Sequence, residues 1–300
     1  MTTLKLEAKE GLNKMANTFL TMDMIAKEAL MILRNNAVMA GLVHRDYSND
    51  FVAGVGDTIT IRKPATFTVK DFVEATGIEV QDATENKQTV KMDKFYDVSF
   101  AVTSKDLTMN ISDFSAQLLV PAMMAFRDKI DAELIKVAEG ATHKVTHAEG
   151  LIAPADVIAV RKLLNDGATP LSMRSLVVGT QAEADLLSSE LFVSAEKVGA
   201  TDGLKEASLG RKFGFDTYVD QNVGKKSLAF HKNALALVTR PLALPQGNKE
   251  SAIVNYDGFG LRVVKDYDIN KKKDIISIDM VCGVSLLDNN MIAVIDDTRA

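Results

Sequence analysis

"GVGDTITIRKPATFTV", residues 54–69, decides how the chain is read. Gly54, Gly56 and Asp57 form a turn signal, and Ile59, Ile61, Phe67 and Val69 follow at every second position, the period of a β-strand. Pro64 marks a break or an edge. Polar, charged, alternating sequence continues to about residue 103. It predicts strands over 57–63, 66–73, 77–91 and 94–103. The result is a long hairpin with little of its own to bury. Beyond Pro64 the apolar positions Phe67, Val69 and Phe72–Val73 need not bury against this chain, because a neighbouring one can cover them.

Charge supports two readings of the same hairpin. Between Arg62 and Phe95 stand six basic and six acidic residues. The acids gather early (Asp71, Glu74, Glu79, Asp82, Glu85), and Lys87, Lys91 and Lys94 come late. They are either solvated strand faces with cross-strand ion pairs, each worth ~1 kcal/mol or less, or an arm whose charges meet another subunit. On the second reading the contact residues are Arg62, Lys63, Phe67, Val69, Phe72, Glu74, Glu79, Lys87, Lys91 and Lys94.

On either side of the hairpin the period changes to helical. Ile25, Ala29, Leu30, Ile32 and Leu33 share one face of an amphipathic helix over about 22–36. Leu119, Met123, Phe126, Ile130, Leu134 and Val137 define a helix over 112–139. Ser112 is placed to cap it and Asp113 to favour its dipole. Pro121 is a kink point and Gly140 the stop. Such a rod is ~40 Å long at 1.5 Å per residue, which points to a flat or elongated protein.

From Pro154 onward the pattern is mixed. "PADVIAVRKLLNDG" reads as a helix opened by proline and "RSLVVGT" as a buried strand. "TQAEADLLSSE" reads as a helix with a capping box from Thr180 to Glu183, and residues 193–207 as a loop. "FGFDTYVD", "SLAFHKNALALVTRP", "LRVVKDYDI", "DIISIDMVCGVSLL" and "MIAVI" are strand-like. The last two tie the C-terminal segment into a core sheet.

Composition excludes several classes of function. Of 300 residues, 47% are hydrophobic and 25% charged, an ordinary globular balance. The net charge of −5 lacks the basic excess of a sequence-specific DNA binder. Apolar runs are too short to span a bilayer, and no leader pattern opens the chain, so a reducing cytoplasm is the expected setting. The lone Cys282 reads as a small core residue. His143 and His147 are four apart but follow Gly140, so a solvated loop is expected there rather than a metal site, and His231 is expected to end a strand. The glycines of "GVGD" and "GFGL" are turn glycines. No nucleophile elbow or phosphate-binding loop is present. "KKK" at 271–273 reads as a solvated turn, with contact to phosphate or to an acidic neighbour as the lesser reading. No catalytic, cofactor-binding or metal-binding residue is expected.

The order of elements, together with five strings, carries a resemblance. "MANTFLTMDMIAKEALMIL" (15–33) is similar to the opening of many tailed-phage coat proteins. "GDTITIRKP" (56–64) resembles the start of their extended loop, and "VTSKDLTMNISDFSAQLLVPAMMAF" (102–126) the junction into their spine helix. "LAFHKNALALVTRPL" (228–242) and "GLRVVKDYDINKKKDIISIDMVCGVSLL" (260–287) resemble their axial domain and its return. The chain thus resembles the major capsid proteins of the Hong Kong 97-type fold, an α+β class, over about residues 15–295. The nearest subgroup is the coat family typified by a short-tailed Salmonella phage, without that coat's inserted domain.

The resemblance implies an N-terminal arm over 1–50 and an extended loop over 51–103. A peripheral domain takes 104–149 and 271–300, with the spine helix at 112–139, and an axial domain takes 150–270. It implies a virion protein assembled in the bacterial host cytoplasm into hexameric and pentameric capsomers around double-stranded DNA held non-specifically. A separate scaffolding protein and a portal are the implied partners, with no membrane and no cofactor. Lys70, Lys87, Lys91 and Lys94 match no cross-linking motif, so no covalent cross-links are expected. Two rivals stand beside this reading: a nanocompartment shell of the same fold, and an α/β enzyme with a β-hairpin arm.

Overall fold

A computed structural model of the chain describes residues 22–45, 58–62, 67, 69, 71, 77, 87–103, 115–193, 209–247, 250–256 and 258–299. Two helices, α1 (Met22–Asn36) and α2 (Met39–Leu42), precede a two-stranded antiparallel ribbon of β1 (Thr58–Arg62) and β2 (Lys87–Lys91). Then come β3 (Lys94–Thr103), the long helix α3 (Val120–Ala138), β4 (Lys144–His147), α4 (Pro154–Asp166) and β5 (Arg174–Val178). Helices α5 (Thr180–Ser188) and α6 (Glu190–Val193) follow. The rest is strand: β6 (Arg211–Lys212), β7 (Phe215–Val219), β8 (Lys226–His231), β9 (Leu235–Arg240), β10 (Ser251–Tyr256), β11 (Phe259–Asp268), β12 (Lys273–Leu286) and β13 (Ile292–Asp297).

A six-stranded sheet in the order β4-β13-β8-β5-β7-β6 is buried on both faces. Side chains alternate across a strand, so its residues sort into two cores. Leu176, Val178, Ala229, Ala293 and Ile295 pack with Val157, Val160 and Leu164 of α4 and Ala182 and Leu186 of α5. Val177, Leu228, Phe230, Ile292 and Val294 face the core built around α3. Burial on both sides explains why β5 is apolar without alternation in "SLVV".

A second sheet runs β10-β11-β12-β3, and β9 pairs with the far half of β12. Its inner face (Leu261, Val263, Ile276, Ile278, Met280, with half-buried Tyr96, Val98 and Phe100) meets α1 and α3. Helix α1 buries Ile25, Ala26, Ala29, Leu30 and Leu33, the stripe read from the sequence, while Ile32 is half-buried.

The long helix departs from its expected form. A single wide π turn, Ser115–Leu119, leads into α3. It lies where the Pro121 ring would clash with the Gln117 carbonyl in a regular helix, and the wide turn relieves that clash. The expected caps Ser112 and Asp113 lie outside the described residues, as do most of the expected strands over 66–73 and 77–91.

Two further expectations are corrected, and a third holds. Thr180 is the first residue of α5, and Gly179 takes the cap position with no side-chain cap. Gly179 sits there because a Cβ would come within 1.9 Å of the Gly224 carbonyl oxygen. His231 ends a strand as expected, and "SLAFHKNALALVTRP" divides there into two strands. A 3₁₀ turn, Lys232–Ala234, separates β8 in one sheet from β9 in the other, with the Asn233 N–H donating to His231 Nδ1 at 3.1 Å. His147 is no solvated loop residue: it ends β4, parallel to β13, with Nδ1 3.2 Å from Asp156 Oδ2. A strand carrying Val145 as its one apolar residue leaves too faint a pattern to read.

β10 and β11 pair into the sheet of β3 and β12, and β13 closes the six-stranded sheet beside β8.

Candidate assembly surface

The base of the ribbon is fixed to the body. Val90 and half-buried Met92 pack with Ala236, Val238 and Leu287. Gln88 Nε2 donates to the Leu286 carbonyl at 2.9 Å, and Ser285 Oγ donates to the Thr89 carbonyl at 3.2 Å. Gly283 lets this happen: a Cβ there would lie 2.3 Å from the Lys91 carbonyl oxygen.

Beyond that base the described residues carry apolar surface outward. Phe67 is 65% exposed and Val69 97%. Exposing large apolar groups gives no stability to the subunit itself and leaves a surface available for burial by another.

Of the ten expected contact residues, Lys63, Phe72, Glu74 and Glu79 lie outside the described residues. Arg62 and Lys87 occupy directly opposed register positions in the ribbon. Lys91 is exposed. Lys94 turns the other way: it is half-buried and forms an ion pair with Glu133 of α3 in its own chain. Lys129 adds a second contact to Glu133 at 3.1 Å. The Lys94 hydrogen bond, helped by Lys129 against the opposing effect of burial, holds the Glu133 carboxyl down at about 2. Burial pushes the neighbouring Cys282 thiol up to about 12, so it is an inert core group.

The outer face of the second sheet is the other broad surface. Phe95, Asp97, Ser99 and Ala101 of β3 point outward. Across the register from them stand Val281, Asp279, Ser277 and Ile275. Asp97 and Asp279 are therefore opposed carboxylates. Arg262 grips Asp279 through Nε (3.0 and 3.1 Å) and Nη2 (2.7 Å), and Ser277 Oγ donates to Asp97 at 2.6 Å. Lys271 and Lys272 form the turn between β11 and β12, with Lys271 Nζ 4.0 Å from Asp268, and Lys273 opens β12.

Sequence reasoning missed the buried charges. Asp131 lies on the inner face of α3 beside Ile130, one turn before Ile135. An acid inside the apolar stripe was the available signal. Asp185, Asp297 and Arg299 form an ion cluster that pins the C-terminal segment, with Arg299 Nη2 2.6 Å from Asp185 and 2.5 Å from Asp297. Among the described residues no group of three or more His, Cys, Asp or Glu side chains is arranged to hold a metal. No described helix is long and apolar enough to cross a membrane.

No protein-family profile matches the sequence, and no curated protein matches it. Solved structures do match. One from Mycobacterium phage Che8 is similar over 87% of this chain and 91% of that one, with a TM-score of 0.67 at 20% identity. A chain of the mature capsid of bacteriophage PhiM1 aligns over 88% of this chain and 87% of that one, with a TM-score of 0.61 at 13% identity. A virus-like particle from Pyrococcus furiosus aligns over 91% and 98%, with a TM-score of 0.54 at 11% identity. The chain has the Hong Kong 97-type fold of capsid proteins.

Proposed function

We propose that this chain is the major capsid protein of a tailed bacteriophage, a structural protein and not an enzyme. Many copies, as hexameric and pentameric capsomers, close an icosahedral shell around double-stranded DNA. The observation that carries the reading is a fold match spanning nearly the whole chain to the mature capsid of a phage. The exposed Phe67 and Val69 support it, because in such a shell they have a surface to bury against. Each contact can be weak, since every subunit makes many at once. The likeness to the coat of the short-tailed Salmonella phage rests on the five sequence strings.

In this reading residues 51–103 lie over an adjacent subunit and 1–50 reach another. The six-stranded sheet with α4 and α5 gathers toward the capsomer centre. Arg62, Lys63, Lys87 and Lys91 meet acidic surface on the neighbour, and Glu74 and Glu79 meet basic surface. DNA is touched sparsely and without sequence preference, consistent with the net charge of −5. A separate scaffolding protein and a portal complete assembly in the host cytoplasm.

Electron microscopy of the expressed protein tests this. Shells, tubes or hexamers support it, and a compact dimer overturns it. The likeness to the Pyrococcus furiosus virus-like particle supports a second reading, a nanocompartment shell. Nuclease-resistant DNA in purified particles favours the phage; a protein cargo without DNA favours the compartment.

A further inference from the structure

The turn between β11 and β12 and the β1–β2 ribbon lie at opposite ends of one strand. β12 runs from Lys273, at the turn, to Leu286, roughly 40 Å at ~3.3 Å per residue. The ribbon is tied to the far end. Lys91, Thr89 and Gln88 step along Gly283, Ser285 and Leu286. From there β3 runs back beside β12, with Lys94 opposite Cys282 and Thr103 opposite Lys273. The end of the ribbon where Arg62 faces Lys87 therefore leads away from the turn.

The two ends differ in charge. Residues 71–86, which precede Lys87 in the chain, include Asp71, Glu74, Glu79, Asp82 and Glu85 and no lysine or arginine. The turn has Lys271, Lys272 and Lys273 in succession. The Lys271 side chain is 72% exposed. In the same hairpin end Ile269 is 68% exposed and Tyr267 44%. The flanking acids are engaged within the hairpin. Asp268 Oδ1 accepts the Asn270 and Lys271 N–H groups at 2.9 and 3.2 Å, and its Oδ2 is 4.0 Å from Lys271 Nζ. Asp274 lies 3.8 Å from Lys265. Lys272 takes a φ of 52°, the left-handed region that favours glycine. The turn keeps a cation where glycine would relieve strain.

We infer that the Lys271–Lys273 turn is the socket for the acidic segment 71–85 of a second copy of this chain. This rests on the capsid reading and names the basic surface that Glu74 and Glu79 meet. Each copy's ribbon leads away from its own turn, so the partner is another copy. Joining one end of a subunit to the opposite end of the next is a heterologous contact, and repeated by rotation it closes a ring, the form of a capsomer. Opposite charge steers the ends together and fixes their register. Exposed Ile269 and Tyr267 give Phe72 and Val73, which stand between Asp71 and Glu74, apolar surface to meet.

Charge exchange in the full-length protein tests the contact. One variant carries Lys271→Glu, Lys272→Glu and Lys273→Glu, and the other Glu74→Lys, Glu79→Lys and Glu85→Lys. Each alone is expected to raise the concentration at which light scattering detects assembly on the order of 100-fold. The melting temperature of the subunit should stay within a few degrees of wild type. Changing the same three lysines to Gln, a milder variant, should give a rise on the order of 10-fold. An equimolar mixture of the two reversed variants is expected to assemble where neither does alone, because the reversed turn of one copy meets the reversed segment of the other. A contact within one chain gives no such rescue. An unchanged threshold in the lysine variants, or a mixture that assembles no better than its parts, overturns this contact while wild-type shells leave the capsid reading standing. Loss of duplex DNA binding by the turn variant, with the mixture unrescued, assigns the lysines to phosphate instead. Wild-type protein that forms only a compact dimer overturns the capsid reading and this contact with it.

Discussion

Asp97 on β3 and Asp279 on β12 stand directly opposite each other in the antiparallel register, two carboxylates on one face of a sheet. Like charges so placed disfavour pairing. The sheet keeps them by dividing the work: Arg262 forks onto Asp279, which is buried, and Ser99 and Ser277 serve Asp97. Arg262→Ala would strand a buried charge beside a second one. Chemical denaturation is expected to show a loss of about 3–5 kcal/mol. Arg262→Lys, which keeps the charge without the fork, should fall between. A loss under about 1 kcal/mol for the alanine variant would mean that Asp279 reaches water when freed.

The Lys94–Glu133 pair makes part of the stability acid-sensitive. The Glu133 carboxyl sits at about 2 in the folded chain against 4.5 for the free group. A depressed acid contributes stability above its unfolded value and loses it as pH falls toward the folded one. Glu133→Gln is expected to cost about 2–3 kcal/mol at pH 7 and to flatten the unfolding profile between about pH 4.5 and 2. An unchanged acid profile would show that Lys94 is solvated rather than paired.

These two pairs mark where the sequence could be read and where it could not. The period of the α1 stripe and of Met123, Phe126, Ile130 and Leu134 is local, and both helices lie where those residues predict. The alternation over 94–103 likewise matches β3 residue for residue. Asp279 and Asp185 were invisible as buried charges, because the arginines that pair with them lie 17 and 114 positions away. A distant pairing leaves no period. The same holds for "SLAFHKNALALVTRP", where only the fold reveals that His231 hands the chain from one sheet to another. The exposure of Phe67 and Val69 was legible because unpartnered apolar alternation is itself a local signal. Lys94 was not: its charge resembles its neighbours' until α3 is packed beneath it.

Gly283 controls the attachment of the ribbon. The Lys91 carbonyl passes where its Cβ would be, so Gly283→Ala must push β2 off β12. The Ser285 and Gln88 hydrogen bonds are expected to break, with a loss of about 1–3 kcal/mol. Limited proteolysis over 87–93 should accelerate before the melting temperature of the whole subunit falls by more than a few degrees. If cleavage there is no faster than in wild type, the ribbon is held by β1 and the Val90 cluster instead.

Phe67 and Val69 separate folding from assembly. Both are exposed in the subunit, so replacing both with Ser should change its stability by no more than about 0.5 kcal/mol. In a shell, burial of each side chain is worth about 1.5–3 kcal/mol, and every subunit gives the contact once and receives it once. Losing even ~3 kcal/mol per subunit raises the protein concentration needed for assembly by about 100-fold. Light scattering against concentration, with thermal unfolding of the same samples, measures both quantities. Equal melting with a raised assembly threshold is the expected result. An unchanged threshold would mean that these side chains face solvent in the assembled particle, and the ribbon would then have to act through its charges alone.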